Sequence, residues 1–445
     1  MSDVTRRTFL RRTGLIGGGL LAAPVLGACG GGSSGGGPAV KSGAVTINFW
    51  THDPGYVKTF TESAKRLTDA PNGAFDYTLK VTQADSEALV TRMISQGAAG
   101  TGTPEMIGIV ISVFPRVMTA GIGKQLLLDL DGVVAPVKDD LLRTAPYTID
   151  GKLYALESDT CLSVLYYRED EFKKNGIPED VATWEELAEI GARLHKKTGQ
   201  SLGTVATGDN TSITNAFLQL LLQRGGGYFD QGGNLVLDSP EAVEVLDFMA
   251  KGVASGFLLA LPDPYGAPNT AALKNGKLIS TVMPNWYNVY GLQANVPEQK
   301  GRWRIRNLPR FAGGGHLASA LGGTGFAVLK DKPATAAATE LLKQTYLTRE
   351  GQLLRFQQGG FLPTLKSLYQ DKEFLGTEDA YLGGQRLFDV YTPASQDSPT
   401  FYQHPQLNVL IEALGGPMLE TLQGKKKAAD AIKEAVAAFN SKKAN

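Results

Sequence analysis

Hydrophobic and polar residues alternate in two short stretches near the start of the folded chain, at 45–49 and 75–81. A period of two residues predicts β-strands. A third stretch, 105–112, is mostly apolar and has the length of a buried strand. The segments between them, at 54–67 and 85–96, are expected to form helices. The order strand, helix, strand, helix, strand predicts an α/β fold with an open parallel sheet.

In open α/β sheets, ligands bind beyond the carboxyl ends of the parallel strands. Five residues are expected on that rim because they follow the three strands: Trp50, His52, Asp53, Gln83 and Ser112. Several of them could instead be ordinary loop residues. Asp53 in particular precedes a proline and could cap the following helix.

A polar insert interrupts apolar sequence further along the chain. Short strands are expected at 152–156 and 162–167, and Glu157, Asp159 and Thr160 lie between them. Buried polar groups need hydrogen-bond partners. A ligand could be one of these partners.

The amino terminus combines a twin-arginine pair, a short apolar stretch and a cysteine. The apolar stretch at 14–28 has 15 residues, which is shorter than the roughly 20 needed to span a bilayer. It is expected to belong to a removed export signal, since 5–11, with Arg6 and Arg7, resembles a bacterial twin-arginine signal and 26–29 resembles a lipoprotein lipobox. We therefore expect residues 1–28 to be removed, Cys29 to be lipidated, and 29–43 to form a Gly/Ser tether that could not bury a cysteine.

Composition limits the remaining possibilities. Without residues 1–28 the chain keeps 40 basic and 43 acidic residues, a net charge of −3, which gives no electrostatic basis for nucleic-acid binding. About 400 folded residues exceed the size of one hydrophobic core, so two lobes are expected. Cys161 is the only cysteine left in that part, so it can form no disulfide there and is expected to be a small packed residue.

Enzyme, cofactor and metal signatures are missing from the sequence. There is no G-x-S-x-G elbow, P-loop or dinucleotide-binding glycine motif. The histidines lack the paired spacing of metal ligands; they are His52, His195, His316 and His404. The sequence therefore predicts no catalytic residues, no cofactor and no metal site.

Several short segments occur in an order that is informative as a set. They are DGKLYAL at 150–156, DT at 159–160, LYYREDEF at 165–172, GIP at 176–178, TWEEL at 183–187, NGK at 275–277, MPNWY at 283–287, LP at 308–309 and LGGTGFAV at 321–328. Together they resemble the family 1 extracellular solute-binding proteins, which deliver carbohydrates to bacterial ABC importers. The resemblance extends over about 45–439.

The resemblance implies a two-lobed, periplasmic-binding-protein-like clamshell of type 2. Each lobe would hold a mixed, mostly parallel sheet flanked by helices. The chain would cross the hinge three times, near 156–163, 321–325 and 389–401. The lobes would comprise 44–157 plus 323–390, and 158–322 plus 391–445.

The resemblance also implies a function without chemistry on the solute. The protein would be an extracytoplasmic monomer, held at the membrane by the lipid on Cys29. It would capture a carbohydrate between the lobes and present it to the permease subunits of an ABC transporter. Closure around the solute would select the conformation that the permease recognises.

Candidate ligand contacts follow from the matching motifs. Trp286 is similar to a platform on which a sugar ring stacks; a core tryptophan is the alternative. Its polar neighbours Asn285 and Asn288 favour an exposed rim. Asp159 would accept hydrogen bonds from sugar hydroxyls, or instead pair with Arg168. The remaining candidates are Glu157, Thr160, Tyr287, Gly322, Gly323, Thr324, Phe401 and Tyr402.

Two departures from the family pattern leave the solute open. Glu157 with Ser158 stands where many sugar binders have proline and an aromatic residue, and Ser112 begins a segment where an acidic residue is common. A non-sugar solute such as a peptide or ferric ion is therefore an alternative, as is an exported hydrolase. Iron would use Tyr166 and Tyr167, but adjacent strand residues point to opposite faces.

Overall fold

The structure, a computed structural model, describes residues 38–443 and contains strands throughout that range. The strands are β1 (Gly43–Thr51), β2 (Phe75–Gln83), β3 (Met106–Val110), β4 (Thr148–Ile149), β5 (Lys152–Leu153), β6 (Leu156–Glu157), β7 (Leu162–Arg168), β8 (Gly203–Ala206), β9 (Leu258–Leu261), β10 (Ser280–Pro284), β11 (Trp303–Arg306), β12 (Ser319–Ala320), β13 (Thr324–Val328), β14 (Glu378–Asp379) and β15 (Gln385–Arg386).

Helices connect and cover these strands. They are α1 (Pro54–Thr68), α2 (Ser86–Ala98), α3 (Pro115–Met118), α4 (Ile122–Leu126), α5 (Asp131–Val134), α6 (Glu169–Asn175), α7 (Trp184–Thr198), α8 (Asn210–Arg224), α9 (Pro240–Ser255), α10 (Ala267–Lys274), α11 (Thr335–Tyr346), α12 (Arg349–Gly359), α13 (Lys372–Leu375), α14 (Phe388–Gln396), α15 (Leu407–Leu422) and α16 (Ala428–Lys443). A π-helical segment, Asn288–Gln293, follows β10.

The first five elements confirm the prediction from alternating and helical periodicity. Asp53 is the N-cap of α1, where its side chain accepts a hydrogen bond from the backbone N–H of Gly55. Asp85 caps α2 in the same way, through the N–H groups of Glu87 and Ala88. These caps satisfy N–H groups that have no partner within the helix, and so define where each helix begins.

The first sheet has the strand order β2-β1-β3-β13-β6. β1 pairs in parallel with both β2 and β3. β13 runs antiparallel to its neighbours β3 and β6. The sheet is therefore mixed as predicted, but half of its pairings are antiparallel, so the expectation of a mostly parallel sheet was wrong. β13 arrives from a distant part of the chain, and local periodicity carries no information on its direction.

The second sheet is built around β7, which pairs with β10, β11 and β12. All three pairings are antiparallel. The expectation of a mostly parallel sheet fails here as well, because the partners of β7 come from much later in the chain, where local periodicity does not record the direction of a strand. A separate parallel pair joins β8 to β9.

Two hydrophobic clusters lie on opposite faces of the second sheet. Along β7, Val164 and Tyr166 belong to the first cluster, which also contains the core of the first sheet. Leu165 and Tyr167 belong to the second cluster, together with helices α7, α8, α9, α15 and α16. Every residue of β7 is buried. A strand covered on both faces reads as a continuous apolar run, as 162–167 does.

Residues 378–391 pack beside the second sheet. The side chain of Gln385 bonds to both backbone groups of Ile305 in β11, at 2.8 and 2.7 Å. Asp379 accepts a 2.7 Å hydrogen bond from the side chain of Asn288. This stretch, which the sequence placed with the first lobe, is thus attached to the strands expected in the other.

The expected signal and Cys29 lie outside the described residues, as do residues 29–37 of the tether. Within 38–443, no helix is both long enough and apolar enough to cross a bilayer. The same range contains no group of three or more His, Cys, Asp or Glu residues placed to hold a metal ion.

Candidate functional site

A cavity of about 320 Å³ opens beside the carboxyl ends of β1 and β3. This volume is at the lower end of the range for small-molecule sites. Its walls include seven of the residues expected from the sequence: His52, Asp53, Asp159, Trp286, Gly322, Gly323 and Thr324. These residues come from the loop after β1, the segment before β7, the loop after β10 and the start of β13. Chain segments that are distant in sequence therefore meet at one cavity.

Trp286 forms a partly exposed aromatic wall of the cavity. Its indole N–H donates a long hydrogen bond of 3.4 Å to the backbone oxygen of Leu321. Tyr265 packs against the indole with ring centroids 5.6 Å apart. Gly322 has φ +80°, and a Cβ there would lie 3.5 Å from the indole nitrogen. This is an ordinary van der Waals separation, so the left-handed backbone is what favours glycine at this position.

Asp53 also lines the cavity and carries a carboxylate. One oxygen accepts hydrogen bonds from the Gly55 N–H at 2.6 Å and from the Tyr290 hydroxyl at 3.4 Å. Both bonds use the same atom, Oδ1. Tyr290 itself is exposed and also lines the cavity. The cap of α1 and the cavity wall are thus the same side chain, so the two roles weighed for Asp53 are compatible.

The surroundings of His52 favour the neutral form of its imidazole. Burial lowers the pKa of its imidazole, and the nearby carboxylates of Asp53 and Asp85 only partly oppose that effect. Its Nδ1 atom is buried and has no hydrogen-bond partner among the described residues. The ring meets Tyr56 edge-on, with centroids 5.7 Å apart. A neutral imidazole offers one donor and one acceptor.

Asp159 is 1% exposed, and its carboxylate is hydrogen-bonded within the protein. Oδ1 accepts from the backbone N–H groups of Cys161 at 3.2 Å and Leu362 at 3.0 Å. Oδ2 accepts from the side chain of Asn285 at 2.8 Å. Burial raises the pKa of this carboxyl, and these hydrogen bonds oppose the rise. The alternative pairing with Arg168 does not form, because Arg168 binds Asp170 instead.

Glu157 forms a buried ion pair with Arg143. The Nε of Arg143 lies 2.8 Å from both carboxylate oxygens, and its Nη2 contacts Oε1. The two side chains are only 2% and 7% exposed. Burial disfavours the guanidinium charge, but Glu157 more than offsets this and raises the pKa of Arg143. The carboxylate of Glu157 is therefore paired with Arg143 inside the protein and does not line the cavity.

Three further candidates, Thr160, Asn285 and Tyr287, are buried and do not line this cavity. The hydroxyl of Thr160 is 3.1 Å from that of Tyr369. Tyr287 is buried and accepts a hydrogen bond from Asn269 at 2.9 Å. Asn285 and Asn288 are 4% and 6% exposed, so the expectation that they form an exposed rim was wrong. Only Trp286 of this segment lines the cavity, since its neighbours turn into the interior.

The remaining rim candidates lie outside the cavity. Trp50 is buried, and the guanidinium of Arg92 stacks 4.5 Å from its ring centroid. The side chain of Gln83 donates a long 3.5 Å bond to the backbone of His52, and Ser112 is only partly buried. These three residues are near the expected sheet edge but are not among the residues that line the pocket.

Phe401 and Tyr402 line a different cavity of about 290 Å³. Its walls also include Leu218 and Leu222 of α8. The next residue, Gln403, donates a side-chain hydrogen bond to the backbone oxygen of Ile111, just beyond β3. The two aromatic residues therefore lie near the carboxyl end of β3, but in a separate pocket from Trp286.

Five lining residues were not expected from the sequence: Tyr56, Val110, Cys161, Tyr290 and Phe361. Tyr290 had a usable signal, an aromatic residue four positions after Trp286. It lies in the π-helical segment, a form of helix often found at functional sites. Phe361 stacks on Tyr56 with centroids 4.8 Å apart. No local pattern distinguishes Phe361 from a core residue.

All formal charge on the lining is acidic and comes from Asp53 and Asp159. Aromatic surface is supplied by Trp286, Tyr290 and Phe361. Carboxylates accept hydrogen bonds and repel anions, whereas flat aromatic rings pack against apolar C–H surfaces. The chemistry of the site suits a neutral solute with many hydroxyl groups. The iron ligands considered from the sequence do not reach the cavity; the Tyr166 hydroxyl donates to backbone oxygens of the loop after β10, and that of Tyr167 donates to Glu179.

Comparison with known families and proteins gives concordant results. The model of a family described as bacterial extracellular solute-binding protein matches residues 56–380. An arabinooligosaccharide-binding protein of Bacillus subtilis is 26% identical over 88% of this chain and 93% of its own length. A lactose-binding protein of Rhizobium radiobacter is 28% identical over 69% of this chain and 71% of its own length.

Solved structures share the fold. The cyclic α-maltosyl-1,6-maltose binding protein of Arthrobacter globiformis superposes with a TM-score of 0.73 at 20% identity, covering 91% of this chain and 99% of its own. An ABC-transporter-associated binding protein of B. animalis subsp. lactis, in complex with β-1,6-galactobiose, gives 0.69 at 22% identity, with 89% and 96% coverage.

Proposed function

We propose, from the premise that this chain belongs to the bacterial extracellular solute-binding proteins, that it captures a carbohydrate and delivers it to an ABC importer. The observation that carries the proposal is the cavity at the strand ends, which is lined by both Trp286 and Asp53. A sugar presents C–H faces to aromatic rings and hydroxyl groups to carboxylates. No reaction on the solute is required.

The choice of solute class is supported by the relatives. The Bacillus subtilis and Rhizobium radiobacter proteins are named for arabinooligosaccharides and lactose. The acidic lining adds a physical restriction, because an anionic solute would meet Asp53 and Asp159 without a basic group in the cavity wall. We therefore favour a neutral mono- or oligosaccharide over an acidic one.

We further propose that the protein works as a two-lobed clamshell of type 2 whose chain crosses the hinge three times. The first two crossings lie near 156–163 and 321–325. We place the third near 360–365, earlier than the sequence suggested, because 378–391 already packs beside the second sheet. The cavity borders all three segments through Cys161, Gly322 and Phe361. A solute held there would favour a closed form.

Anchoring and export complete the proposal. The twin-arginine motif would direct the folded chain across the membrane, and lipidation of Cys29 would tether it outside. A tethered monomer would stay near the permease that receives its solute. We test this part by comparing the electrophoretic migration and mass of the membrane-bound protein with those of a Cys29→Ser variant. The variant is expected to lack the mass of the diacylglyceryl group and to be released from membranes.

A thermal-shift screen of the Cys29→Ser mature chain tests the solute. Arabinotriose, lactose and maltose are compared with amino acids, a tripeptide and ferric citrate. A sugar that binds at roughly micromolar affinity, about −8 kcal/mol, stabilises the fold by about 2.7 kcal/mol when present at 100 times its Kd. Stabilisation by only a peptide or by iron would contradict the carbohydrate proposal, and turnover of any solute would indicate an enzyme.

The role of Trp286 is tested by calorimetric titration of the protein with the sugar that binds in the thermal-shift screen. Trp286→Ala is expected to abolish measurable binding while leaving the far-UV circular dichroism unchanged. Phe401→Ala serves as the comparison, because Phe401 belongs to another cavity and its removal should leave the affinity unaltered. If the Trp286→Ala variant and the unchanged protein bind the sugar with equal affinity, Trp286 is a packing residue and not a ligand contact.

A further inference from the structure

We propose that Asp159 is a positioning residue that holds two aromatic walls of the solute cavity in place, and that it is not a direct ligand of the solute. The inference deepens the proposed solute-binding function and rests on it. It also assigns a specific task to a carboxylate that the sequence suggested as a hydrogen-bond acceptor for sugar hydroxyls.

The hydrogen bonds of Asp159 connect it to both walls. Oδ2 accepts from Asn285 at 2.8 Å, and the same amide group of Asn285 donates to the backbone oxygen of Gly360 at 3.1 Å. Oδ1 accepts from the backbone N–H of Leu362 at 3.0 Å. One carboxylate thus ties the loop after β10 to the segment that follows α12.

The residues next to these partners are the aromatic ones. Trp286 directly follows Asn285, and Phe361 lies between Gly360 and Leu362. Both aromatic side chains line the cavity. Each aromatic residue is adjacent in sequence to a residue that is hydrogen-bonded to Asp159. Displacement of the carboxylate would therefore loosen both rings at once.

Asp159 also has little capacity left for a solute. A carboxylate offers about four acceptor positions, and three are taken by Cys161, Leu362 and Asn285. The residue is 1% exposed. Breaking these bonds to accept a sugar hydroxyl would exchange strong charge-assisted hydrogen bonds for similar ones, so little binding energy would result.

The third bond fixes the backbone at the candidate hinge. Cys161 has φ +47°, which is rare for a residue with a side chain. Its N–H is held by Asp159, and its carbonyl oxygen accepts a 3.3 Å bond from Leu321. The carboxylate therefore stabilises the turn that brings the first two proposed crossings together.

A second carboxylate of this protein provides a matched control. Asp379 accepts bonds from the backbone N–H groups of Tyr381 and Leu382 at Oδ1, and from the side chain of Asn288 at Oδ2. This is the same pattern as at Asp159: two backbone donors on one oxygen and an asparagine on the other. Asp379 does not line the solute cavity.

The first experiment needs no solute. Acrylamide quenching of tryptophan fluorescence is measured in Asp159→Asn and Asp379→Asn, each with and without Trp286→Phe, so that the change due to Trp286 is isolated. Asp159→Asn should increase the quenching of Trp286. The NH₂ group of the new amide then faces the NH₂ group of Asn285 and cannot accept its hydrogen bond, so the loop that carries Trp286 is held less firmly. Asp379→Asn should not increase this quenching. Unchanged quenching of Trp286 in Asp159→Asn would overturn the proposal.

Asparagine variants give the same test without altering charge. Asn285→Ala cuts the link from Asp159 to the loop of Trp286, whereas Asn288→Ala cuts the equivalent bond to Asp379. If Asp159→Asn fails to fold, Asn285→Ala still must increase Trp286 quenching while Asn288→Ala does not. Equal quenching in the two alanine variants would refute the proposed role.

The second experiment measures affinity for the sugar that binds in the thermal-shift screen, among arabinotriose, lactose and maltose. Loss of a charge-assisted hydrogen bond is expected to weaken binding about tenfold in Asp159→Asn and in Asn285→Ala. If Asn285 acts through Asp159, its replacement has no further effect once the carboxylate is gone, so the double variant binds no more weakly than Asp159→Asn alone. Fully additive losses would show that the two residues act independently and would overturn the proposal. If no sugar binds, the proposed function fails, while the quenching result still decides the positioning role.

Discussion

Replacing Glu157 by glutamine should severely destabilise the fold, because it leaves the guanidinium of Arg143 buried without a countercharge. The pair is bidentate, with 2.8 Å separations from Nε to both carboxylate oxygens. The side chains are 2% and 7% exposed. The Nη1 atom of Arg143 already has no partner among the described residues. An arginine cannot escape this situation by losing its proton.

The expected magnitude follows from the burial of the pair. Removing one partner of a buried ion pair costs about 3 to 5 kcal/mol. Glutamine at 157 retains one oxygen that can accept from Arg143, so we expect about 3 kcal/mol, the lower end of that range. A double replacement, Glu157→Leu with Arg143→Met, removes both charges and should recover most of the loss, because no unpaired charge then remains buried.

Urea and thermal unfolding monitored by circular dichroism measure the effect. For about 400 folded residues, a loss of about 3 kcal/mol should lower the Tm by roughly 3 to 4 °C. Asp129→Asn is the surface control: Asp129 pairs with Lys152, but these side chains are 33% and 56% exposed, so the loss should stay below about 1 kcal/mol. A Glu157→Gln loss no larger than that of the control would refute the argument from burial.

Two other predictions concern a glycine contact and a histidine. In Gly325→Ala, the new Cβ would lie 2.4 Å from the buried ring of Tyr147, so unfolding should show a loss of about 1 to 3 kcal/mol. Gly132→Ala, within α5 and with nothing within 4 Å of the new Cβ, should instead stabilise by up to about 1 kcal/mol. A neutral Gly325→Ala would contradict the close packing. For His52, burial lowers the pKa in the folded protein, so below about pH 6.5 the unfolded chain takes up a proton that the folded protein resists. Between pH 7 and pH 5, the Tm of the unchanged protein should therefore fall more than the Tm of His52→Gln. If the difference in Tm between the two proteins is the same at every pH, this reasoning is contradicted.

Local structure was largely predictable from the sequence. Alternation at 45–49 and 75–81 reflects strands with one face more buried than the other, and this depends only on near neighbours. The caps at Asp53 and Asp85 are likewise local, since a side chain there satisfies N–H groups two or three residues ahead. The buried strand at 162–167 was legible because both of its faces are covered.

The candidate site was predictable only in part. Trp286 and Asp53 were indicated by motif and position, and both line the cavity. Glu157 was indicated by the same kind of reasoning, but its partner Arg143 precedes it by 14 residues in a region without a recognisable pattern. Phe361 had no local signal. Whether a polar or aromatic residue contacts a cavity or the core depends on what packs beside it.

The sequence by itself determined the elements, the α/β class and the expectation of a solute site at the strand ends, because periodicity, caps and motif order are encoded in neighbouring residues. The tertiary structure alone decided the directions of β13 and of the strands around β7, and the partners of the buried carboxylates. Asp159 meets Asn285 and Leu362 across 126 and 203 positions of the chain. Such contacts are set by how whole sheets and helices pack, and no local pattern records them.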